Sequence, residues 1–308
     1  MKQQIGFFVL VCLLSIGILL FPYRKDSAEE MPVEIVSMDD RVHLRVLHGE
    51  RVEDMSLSSY LAGVVGAELP GSFPIEAKKA QAVAARTYAL RQAREGKHPQ
   101  ADICTDSSCC QAWTPLLDPE AEQAVRETDG LVLVYEEKLI EATYFSCSGG
   151  RTETAAAVWG SDIPYLQAVD SPGEEDAPRF REEVELSTAD FAARLQTMDP
   201  GFLPMGAAPQ WFGEIRYTVG NGVESVEIGG CSFRGTELRK IFGLRSTNIR
   251  FSVTEDTVTI STLGYGHRVG LSQYGARAMA LEGKSFAEIL CHYYRNTKIK
   301  RLSLQGEA

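Results

Sequence analysis

The stretch SLSSYLAGVVGAELP, residues 56–70, decides the first helix of the chain. Ser56 is a helix-capping residue type, and apolar side chains follow it at the spacing of one helical face, namely Leu57, Tyr60, Leu61, Val64 and Val65. Glu68 falls on the same face, and the helix ends before Leu69-Pro70 because proline pushes the preceding residue out of the α region. The pattern predicts a helix with one carboxyl group on its apolar side.

A second helix is predicted directly after this break. It begins around residues 72–74 and runs through an alanine-rich segment to Gly96, since proline is favoured at a helix start and alanine is the strongest helix former. The many small side chains permit neighbouring elements to pack closely against this helix. Arg86 and Arg91 stand out in it as polar exceptions.

Alternating apolar residues predict strands on both sides of the two helices, near residues 33–36, 42–47, 130–135 and 142–146. The fold class is therefore α+β, with helices and antiparallel strands mixed in two lobes. We predict that residues 34–170 form the first part of one domain and that residues 261–308 complete it. Residues 171–260, which start with a loop rich in proline, glycine and acidic residues, are predicted to be an inserted or second lobe.

The chain begins with an apolar run, IGFFVLVCLLSIGILLF, at residues 5–21. Such a run is at the lower limit of what spans a bilayer core of about 30 Å, and a signal peptide is the competing interpretation. A cleavable signal usually ends in an Ala-x-Ala pattern, whereas this chain continues with LLFPYRK. We therefore predict a single transmembrane helix within an uncleaved anchor at residues 1–25, followed by a polar tether at 26–33.

Composition excludes one class of partner and leaves the cysteines to be explained. The 308 residues carry a formal charge of −11 without a basic run, which argues against nucleic acid because binding to a phosphate backbone needs a basic surface.

Seven cysteines are present, and three of them, Cys104, Cys109 and Cys110, are close together in the sequence. A secreted protein stabilised mainly by disulfides would be shorter, and its cysteines would be spaced more evenly along the sequence.

Four blocks of sequence occur in order along the chain. They are VVGAELP ending at Pro70, AKKAQAVAARTYA at 77–89, SGGRTE at 148–153 with the following Trp159-Gly160 and Pro164-Tyr165-Leu166, and GYGHRVGLSQYGA at 264–276. Together they resemble the stage II sporulation protein D family over about residues 40–295. The sequence departs from the family at Arg268, where relatives commonly carry glycine.

The resemblance implies a membrane-anchored lytic transglycosylase of sporulating bacteria. Such an enzyme degrades peptidoglycan glycan strands that lack stem peptides, beside a peptidoglycan amidase and a membrane protein of the engulfment machinery. The chain would then be a single-pass protein of the bacterial cell membrane, with its catalytic domain on the extracytoplasmic, forespore-facing side of the septum. An acidic protein would repel the carboxylates of an intact wall, which also favours stripped glycan.

Glu68 is the candidate catalytic residue. A lytic transglycosylase needs one carboxylic acid that donates a proton to the glycosidic oxygen, because the C6 hydroxyl of the sugar supplies the nucleophile. Burial on an apolar helical face would raise the pKa of Glu68, as this acid role requires. The alternative is an exposed residue in the last turn of a helix.

Several residues are expected to bind the glycan. By resemblance, Arg86 orients Glu68 or contacts a sugar carboxylate, although an ordinary salt bridge would also explain it. The turn at Ser148, Gly149 and Gly150 offers backbone N–H groups without a Cβ obstruction, as an ordinary hairpin would too. The remaining candidates could stack on sugars, bind hydroxyls or simply pack around the glycine-rich bend: Tyr165, His267, Gln273 and Tyr274.

The cysteine cluster resembles the zinc site of the family. His98, Cys104, Cys109 and Cys110 match its spacing, with Cys109 in place of a histidine. A thiolate replaces an imidazole readily in tetrahedral zinc, and four protein ligands would make the ion structural. The alternative is a disulfide between Cys104 and one of the other two cysteines.

Two other functions stay open at this point. The chain could be a non-catalytic glycan-binding protein that enhances an amidase, although the presence of Glu68 on its apolar face speaks against this. A zinc hydrolase is disfavoured because the sequence contains no His-Glu-x-x-His motif or comparable open metal site.

Overall fold

The computed structural model describes residues 37–116 and 118–303. The anchor and tether predicted at residues 1–33 lie outside the described residues. Within the described ranges, no helix combines the length and the apolar character needed to cross a bilayer.

Nine α-helices occur in the described residues. They are α1 (Met38–Arg41), α2 (Leu57–Glu68), α3 (Ile75–Glu95), α4 (Pro119–Glu127), α5 (Ala155–Trp159), α6 (Thr188–Met198), α7 (Gly235–Phe242), α8 (Gln273–Leu281) and α9 (Phe286–Tyr293). A 3₁₀ helix covers Ala208–Trp211. The side chain of Ser56 caps α2, and α2 ends at Glu68, so both of these predictions are confirmed.

The strands of the described residues are short and belong to several small sheets. They are β1 (His43–His48), β2 (Arg51–Ser56), β3 (Ile103–Cys104), β4 (Leu131–Tyr135), β5 (Lys138–Leu139), β6 (Tyr144–Phe145), β7 (Gly150–Arg151), β8 (Asp170–Ser171), β9 (Arg181–Ser187), β10 (Phe212–Tyr217), β11 (Val223–Ile228), β12 (Cys231–Phe233), β13 (Asn248–Val253), β14 (Thr257–Leu263), β15 (Leu271–Ser272) and β16 (Lys298–Arg301). Helices and small sheets together confirm the α+β class.

Four sheets have three strands, in the orders β2-β1-β3, β10-β11-β12, β13-β14-β9 and β16-β4-β5. Most pairs are antiparallel, as predicted. Two are parallel instead, β1 with β3 and β6 with β15, because long segments that include helices separate the partners in sequence. The β6–β15 pair aligns Tyr144 with Leu271 and so joins the middle of the chain to its C-terminal segment.

The alanine-rich helix α3 lies between two hydrophobic clusters. One of its faces, which includes Ala77, Ala80 and Ala84, packs into a cluster with α8 and α9. The opposite face, which includes Ala82, Ala85 and Ala89, packs into a cluster with α2 and β1. Small side chains allow close packing on both faces, so α3 fixes α2 relative to the C-terminal helices.

A third hydrophobic cluster is built only from residues between 184 and 260. Its centre includes stacked rings of Phe191 and Phe242, with centroids 4.9 Å apart. The pairing of β14 with β9 continues to Leu263 opposite Arg181, just before the glycine-rich bend that starts at Gly264. This cluster therefore connects directly to the GYGHRVGLSQYGA segment.

Candidate active site

Glu68 is held at the end of α2 by two partners from distant parts of the chain. The Ala112 N–H donates to Oε1 at 3.2 Å, and the Gln273 side-chain amide donates to Oε2 at 2.9 Å. Gln273 is the first residue of α8, which Ser272 caps. The cap of α8 thus directs an amide toward the carboxyl at the end of α2.

Burial raises the pKa of Glu68 above its usual range. Hydrogen bonds from Gln273, Ala112 and Tyr144 act in the opposite direction, but the desolvation of the carboxylate outweighs them. A carboxyl group in this setting is available as a proton donor near neutral pH more often than an exposed one.

Glu68 lies where two pockets meet, and we call the two together the cleft. The Tyr265 half has a volume of about 540 Å³. Its lining includes Glu68, Arg179, Tyr265, Gln273 and Tyr274. The Trp159 half has a volume of about 520 Å³ and is lined by Glu68, Cys109, Cys110, Glu141, Tyr144, Trp159, His267 and others. A polymer that lies across both halves would pass the Glu68 carboxyl.

His267 lines the Trp159 half as a neutral imidazole. Burial lowers its pKa to about 4. Its Nδ1 accepts the Val269 N–H at 3.1 Å, so the proton is on Nε2, which donates to the Tyr144 carbonyl at 3.0 Å. The ring lies between those of Phe145 and Trp159, each with its centroid 5.5 Å away. His267 therefore orients Trp159 in the cleft and carries no charge.

Tyr274 lines the Tyr265 half, next to Gln273. Its ring packs edge-to-face on Phe73, with centroids 5.1 Å apart. The structure thus brings four of the predicted catalytic and glycan-binding residues to the cleft: Glu68, His267, Gln273 and Tyr274.

Ser148, Gly149 and Gly150 are placed differently from the prediction. Their backbone N–H groups point at Glu174 Oε2, at 2.8, 3.0 and 3.4 Å, and the Ser148 hydroxyl donates to the same oxygen at 2.7 Å. Glu174 is 1% exposed. The donors that we assigned to a saccharide are therefore occupied by a buried carboxyl group of the same chain in the structure described.

Arg86 and Tyr165 also lie away from the cleft surface. The Arg86 guanidinium is fully buried and pairs with Asp39, with Nη2 to Oδ2 at 2.5 Å and Nε to Oδ1 at 2.9 Å. The buried Tyr165 packs in the cluster around α8 and α9, and its hydroxyl accepts the Glu141 N–H at 2.9 Å. Both side chains have partners within the chain, and the structure does not bring them to the cleft with Glu68.

Arg268, at the position where the family resemblance implies glycine, adopts the left-handed conformation with φ of 65°, which glycine takes up without strain. Its buried guanidinium donates to the carbonyl oxygens of Ser148, Arg151 and Gly220 and pairs with Glu153. The substitution therefore keeps the bend and adds a connection between residues 148–153 and the third hydrophobic cluster.

Sequence reasoning missed three other parts of the site. Tyr60 donates to Gln111 at 3.1 Å, and Gln111 donates to the Tyr144 hydroxyl at 2.9 Å, beside Glu68. The Ala112 N–H has no side-chain signal at all. Gln111 directly follows the cysteine cluster, and that position was the one available hint.

The predicted metal ligands come together. One donor atom from each of His98, Cys104, Cys109 and Cys110 lies within 4.8 Å of the others. His98 Nε2 is 3.2 Å from Cys110 Sγ and 3.8 Å from Cys109 Sγ, and the Cys109 and Cys110 sulfurs are 3.9 Å apart. Tetrahedral zinc with these ligands separates donor atoms by roughly 3.5 to 3.8 Å, so the donor set fits that ion. All six described cysteines are free of disulfides.

Local structure explains this convergence. Cys104 is held by the pairing of β3 with Leu47 of β1. A turn in which the N–H groups of Cys109 and Cys110 both donate to the Asp106 carbonyl presents the other two thiols. His98 follows Gly96, whose left-handed conformation ends α3.

Comparison with known proteins agrees with this organisation. Residues 48–135 match the family model described as Stage II sporulation protein. The chain is 35% identical over 266 residues to Stage II sporulation protein D of Bacillus subtilis (strain 168), covering 81% of this chain and 76% of that protein. It is 36% identical to the protein of the same name from Bacillus amyloliquefaciens, covering 90% and 80%. A protein named Amidase enhancer, from Bacillus subtilis (strain 168), is 27% identical over 78% of this chain and 40% of its own length.

The level of identity and the coverage of both chains decide the assignment, and the four sequence blocks that meet at Glu68 and around the bend at Gly264–Gly270 agree with it. The chain belongs to the stage II sporulation protein D family.

Proposed function

We propose that this protein is a peptidoglycan lytic transglycosylase that acts on stem-peptide-free glycan strands during engulfment in sporulation. It cleaves the bond between N-acetylmuramic acid and N-acetylglucosamine and leaves a 1,6-anhydro end. One observation carries the proposal: the Glu68 carboxyl group, whose pKa burial raises, lies where the two halves of the cleft meet.

The reaction needs only this carboxyl group. Glu68 donates its proton to the glycosidic oxygen as the bond to C1 of the muramyl sugar breaks. The resulting carboxylate accepts the proton of the C6 hydroxyl, whose oxygen forms a bond to C1 and closes the anhydro ring. The Ala112 and Gln273 N–H donors keep the carboxyl oxygens in place during both transfers.

A second carboxyl group, Glu141, lines the Trp159 half and would be the obvious base of a hydrolase. It forms an ion pair with Arg91, whose Nε lies 3.0 Å from Oε2. Burial raises the pKa of Glu141, and Arg91 acts in the opposite direction. The ion pair gives this carboxyl group a structural partner, which disfavours a role as the base that activates water.

The test is mass spectrometry of products from purified, stripped glycan strands. The wild type should release fragments with 1,6-anhydro ends, and Glu68→Gln should release essentially none because the amide keeps the shape but has no acidic proton. Glu141→Gln is the matched control and should keep the anhydro product, since Arg91 retains Glu95 as a partner at 2.8 Å. Reducing ends in place of anhydro ends, or Glu68→Gln activity above about a tenth of wild type, would contradict the proposal.

A second candidate function is the non-catalytic enhancement of a peptidoglycan amidase. The similarity to the protein named Amidase enhancer favours it. In that case Glu68→Gln would stimulate a purified amidase as well as the wild type does, and neither protein would form anhydro ends. An amidase and a membrane protein of the engulfment machinery are the partners that we propose under either function.

Two further features belong to the proposal. His98, Cys104, Cys109 and Cys110 would hold a zinc ion, which with four protein ligands has no open position and supplies a cross-link rather than chemistry. Residues 1–25 would anchor the chain in the bacterial cell membrane, with the cleft on the extracytoplasmic side.

A further inference from the structure

The Tyr265 half of the cleft contains one cationic side chain. Among the described residues that line the cleft, Arg179 is the only arginine or lysine. The acidic groups of the lining are Glu68, where the halves meet, and Glu141, in the Trp159 half. Burial favours the uncharged form of Glu68. The positive charge of Arg179 is therefore not cancelled by a negative charge on Glu68 in the Tyr265 half.

The Arg179 guanidinium is free to bind a ligand. Within residues 37–116 and 118–303 it forms no salt bridge, whereas the nearby Arg245 pairs with Glu182 at 2.8 Å. The Arg179 Cζ lies 6.0 Å from the centroid of the Tyr265 ring, and this contact uses none of the N–H donors. The exposed side chain therefore presents its planar set of donors to the cleft.

The backbone conformation of Arg179 is strained. The Phe180 N–H donates to the Ala177 carbonyl at 3.0 Å and closes a turn with Pro178 and Arg179 at its centre. Arg179 has φ of 66°, the geometry of a type II turn, in which this position is ordinarily glycine or asparagine. A strained residue that also faces a cleft indicates a functional constraint on its side chain.

The opposite side of the turn is also anchored. The Gly264 N–H donates to the Phe180 carbonyl at 2.8 Å, one residue before Tyr265. The turn and the Tyr265 ring are therefore held together, and Arg179 is fixed relative to the cleft by its backbone rather than by a side-chain partner.

We propose that Arg179 binds the lactyl carboxylate of a muramyl residue and so selects strands from which the stem peptide has been removed. This inference rests on the proposed function, because it assumes that the cleft binds glycan. A stripped muramyl residue carries a free carboxylate, which a guanidinium binds through two parallel N–H···O bonds. Where a stem peptide remains, the same carboxyl is an amide, which has no charge and only one acceptor oxygen.

The subsite also addresses an electrostatic difficulty. A protein with a formal charge of −11 repels a polyanionic strand at long range. A local cation next to the reacting bond supplies attraction where the muramyl carboxylate lies, without requiring a basic surface.

The test measures strand binding in the non-cleaving Glu68→Gln protein by calorimetry. Two probes are used, stripped glycan strands and the same strands after conversion of their carboxylates to methylamides. Adding Arg179→Gln should weaken binding of the carboxylate strands about tenfold, as expected for loss of a charge-assisted pair, and should leave methylamide strands unaffected. Arg194→Gln, which removes an exposed arginine of α6 outside the cleft lining, is the matched control and should change neither affinity.

Arg179→Gly separates binding from folding. Glycine fits a φ of 66° without strain, so this variant should melt no earlier than the parent protein while losing the same preference for carboxylate strands. An unchanged ratio of affinities for the two probes in either Arg179 variant would overturn the subsite. If the wild type bound strands in this Arg179-dependent way but formed no anhydro ends, the proposed catalysis would fail while the subsite stood.

Discussion

At the scale of single residues, environment rather than residue type determines what the carboxyl groups of this protein do. Glu68 is buried with two N–H donors and has a raised pKa. Glu174 is more deeply buried and is surrounded by backbone and hydroxyl donors, which suits a carboxyl group that organises a turn. Glu141 forms an ion pair with Arg91. Burial raises the pKa of Glu141 as well, with Arg91 acting in the opposite direction. Of the three, Glu68 alone combines a raised pKa with a position where the two halves of the cleft meet.

Gln273→Met is expected to shift the pH dependence of glycan cleavage. The Gln273 amide stabilises the ionised form of Glu68, so its loss should raise the pKa of Glu68 further. Because the acid acts in its protonated form, activity is present below this pKa and is lost as pH rises through it. The alkaline limb of the rate profile should therefore move to higher pH.

The control for this shift is Gln123→Met on α4, which removes an exposed amide bonded to Glu127 and should leave the profile unchanged. An alkaline limb that stays in place or moves to lower pH in Gln273→Met would show that Glu68 is not the titrating acid.

At the scale of elements, the active site depends on how helix ends are joined. Glu174 accepts from Ser148 of the SGG turn, from Ser171 of β8 and from Ser272, the cap of α8. The next residue, Gln273, contacts Glu68. Three elements that are distant in sequence are thus fixed to one carboxylate, and α8 receives from it the position that directs Gln273 into the cleft.

Glu174→Gln should lower the free energy of unfolding by about 2 to 3 kcal/mol, because hydrogen bonds to a charged group are lost and an amide nitrogen would face buried donors. Urea denaturation measures this change. Glu175→Gln, at the exposed neighbouring position, should stay within about 0.5 kcal/mol of wild type. Equal effects of the two substitutions would refute the organising role of Glu174.

The metal cluster joins the end of α3 to the turn that precedes Gln111 and Ala112. If it holds zinc, protein purified without added metal should contain near-stoichiometric zinc by elemental analysis, and Cys104→Ser or chelation should lower its melting temperature. Cys291→Ser changes an exposed free cysteine outside the cluster and should alter neither measurement. Zinc-free protein with a disulfide between two of the cluster cysteines would refute the site.

At the scale of the whole molecule, the N-terminal residues of the described region belong to the folded core. Asp39 of α1 neutralises the fully buried Arg86, and Ser37 donates to Asp129 at 2.5 Å. On the other side, the pair of Arg268 and Glu153 joins residues 148–153 to Gly220 and the third cluster. Buried ion pairs therefore connect distant segments across the molecule.

These contacts limit how far the chain can be shortened. A protein that starts at residue 34 should be soluble and cleave isolated strands, whereas one that starts at Val42 should lose about 3 to 5 kcal/mol because Arg86 is left buried without its partner. Thermal and urea unfolding of both proteins measure the difference. Equal stability of the two would show that the Asp39–Arg86 pair is dispensable. Inactivity of the longer protein despite a native fold would show that residues 1–33 do more than anchor.

Features that depend on neighbouring residues could be predicted from the amino-acid sequence alone. The cap at Ser56, the apolar face of α2 and the break at Pro70 together placed Glu68 at a helix end, because capping, periodicity and proline act within a few residues. The alanine-rich α3 was likewise recognisable from a short segment, and so was the grouping of His98, Cys104, Cys109 and Cys110.

Which polar groups have partners within the chain became visible only in the folded protein. Arg86 meets Asp39 across 47 positions, the SGG turn meets Glu174 across 26, and Gln273 meets Glu68 across 205. An arginine or a glycine turn has the same local signature whether its donors face a ligand or a buried carboxylate. The difference is made by packing, which brings distant groups together and excludes the water that would otherwise satisfy them.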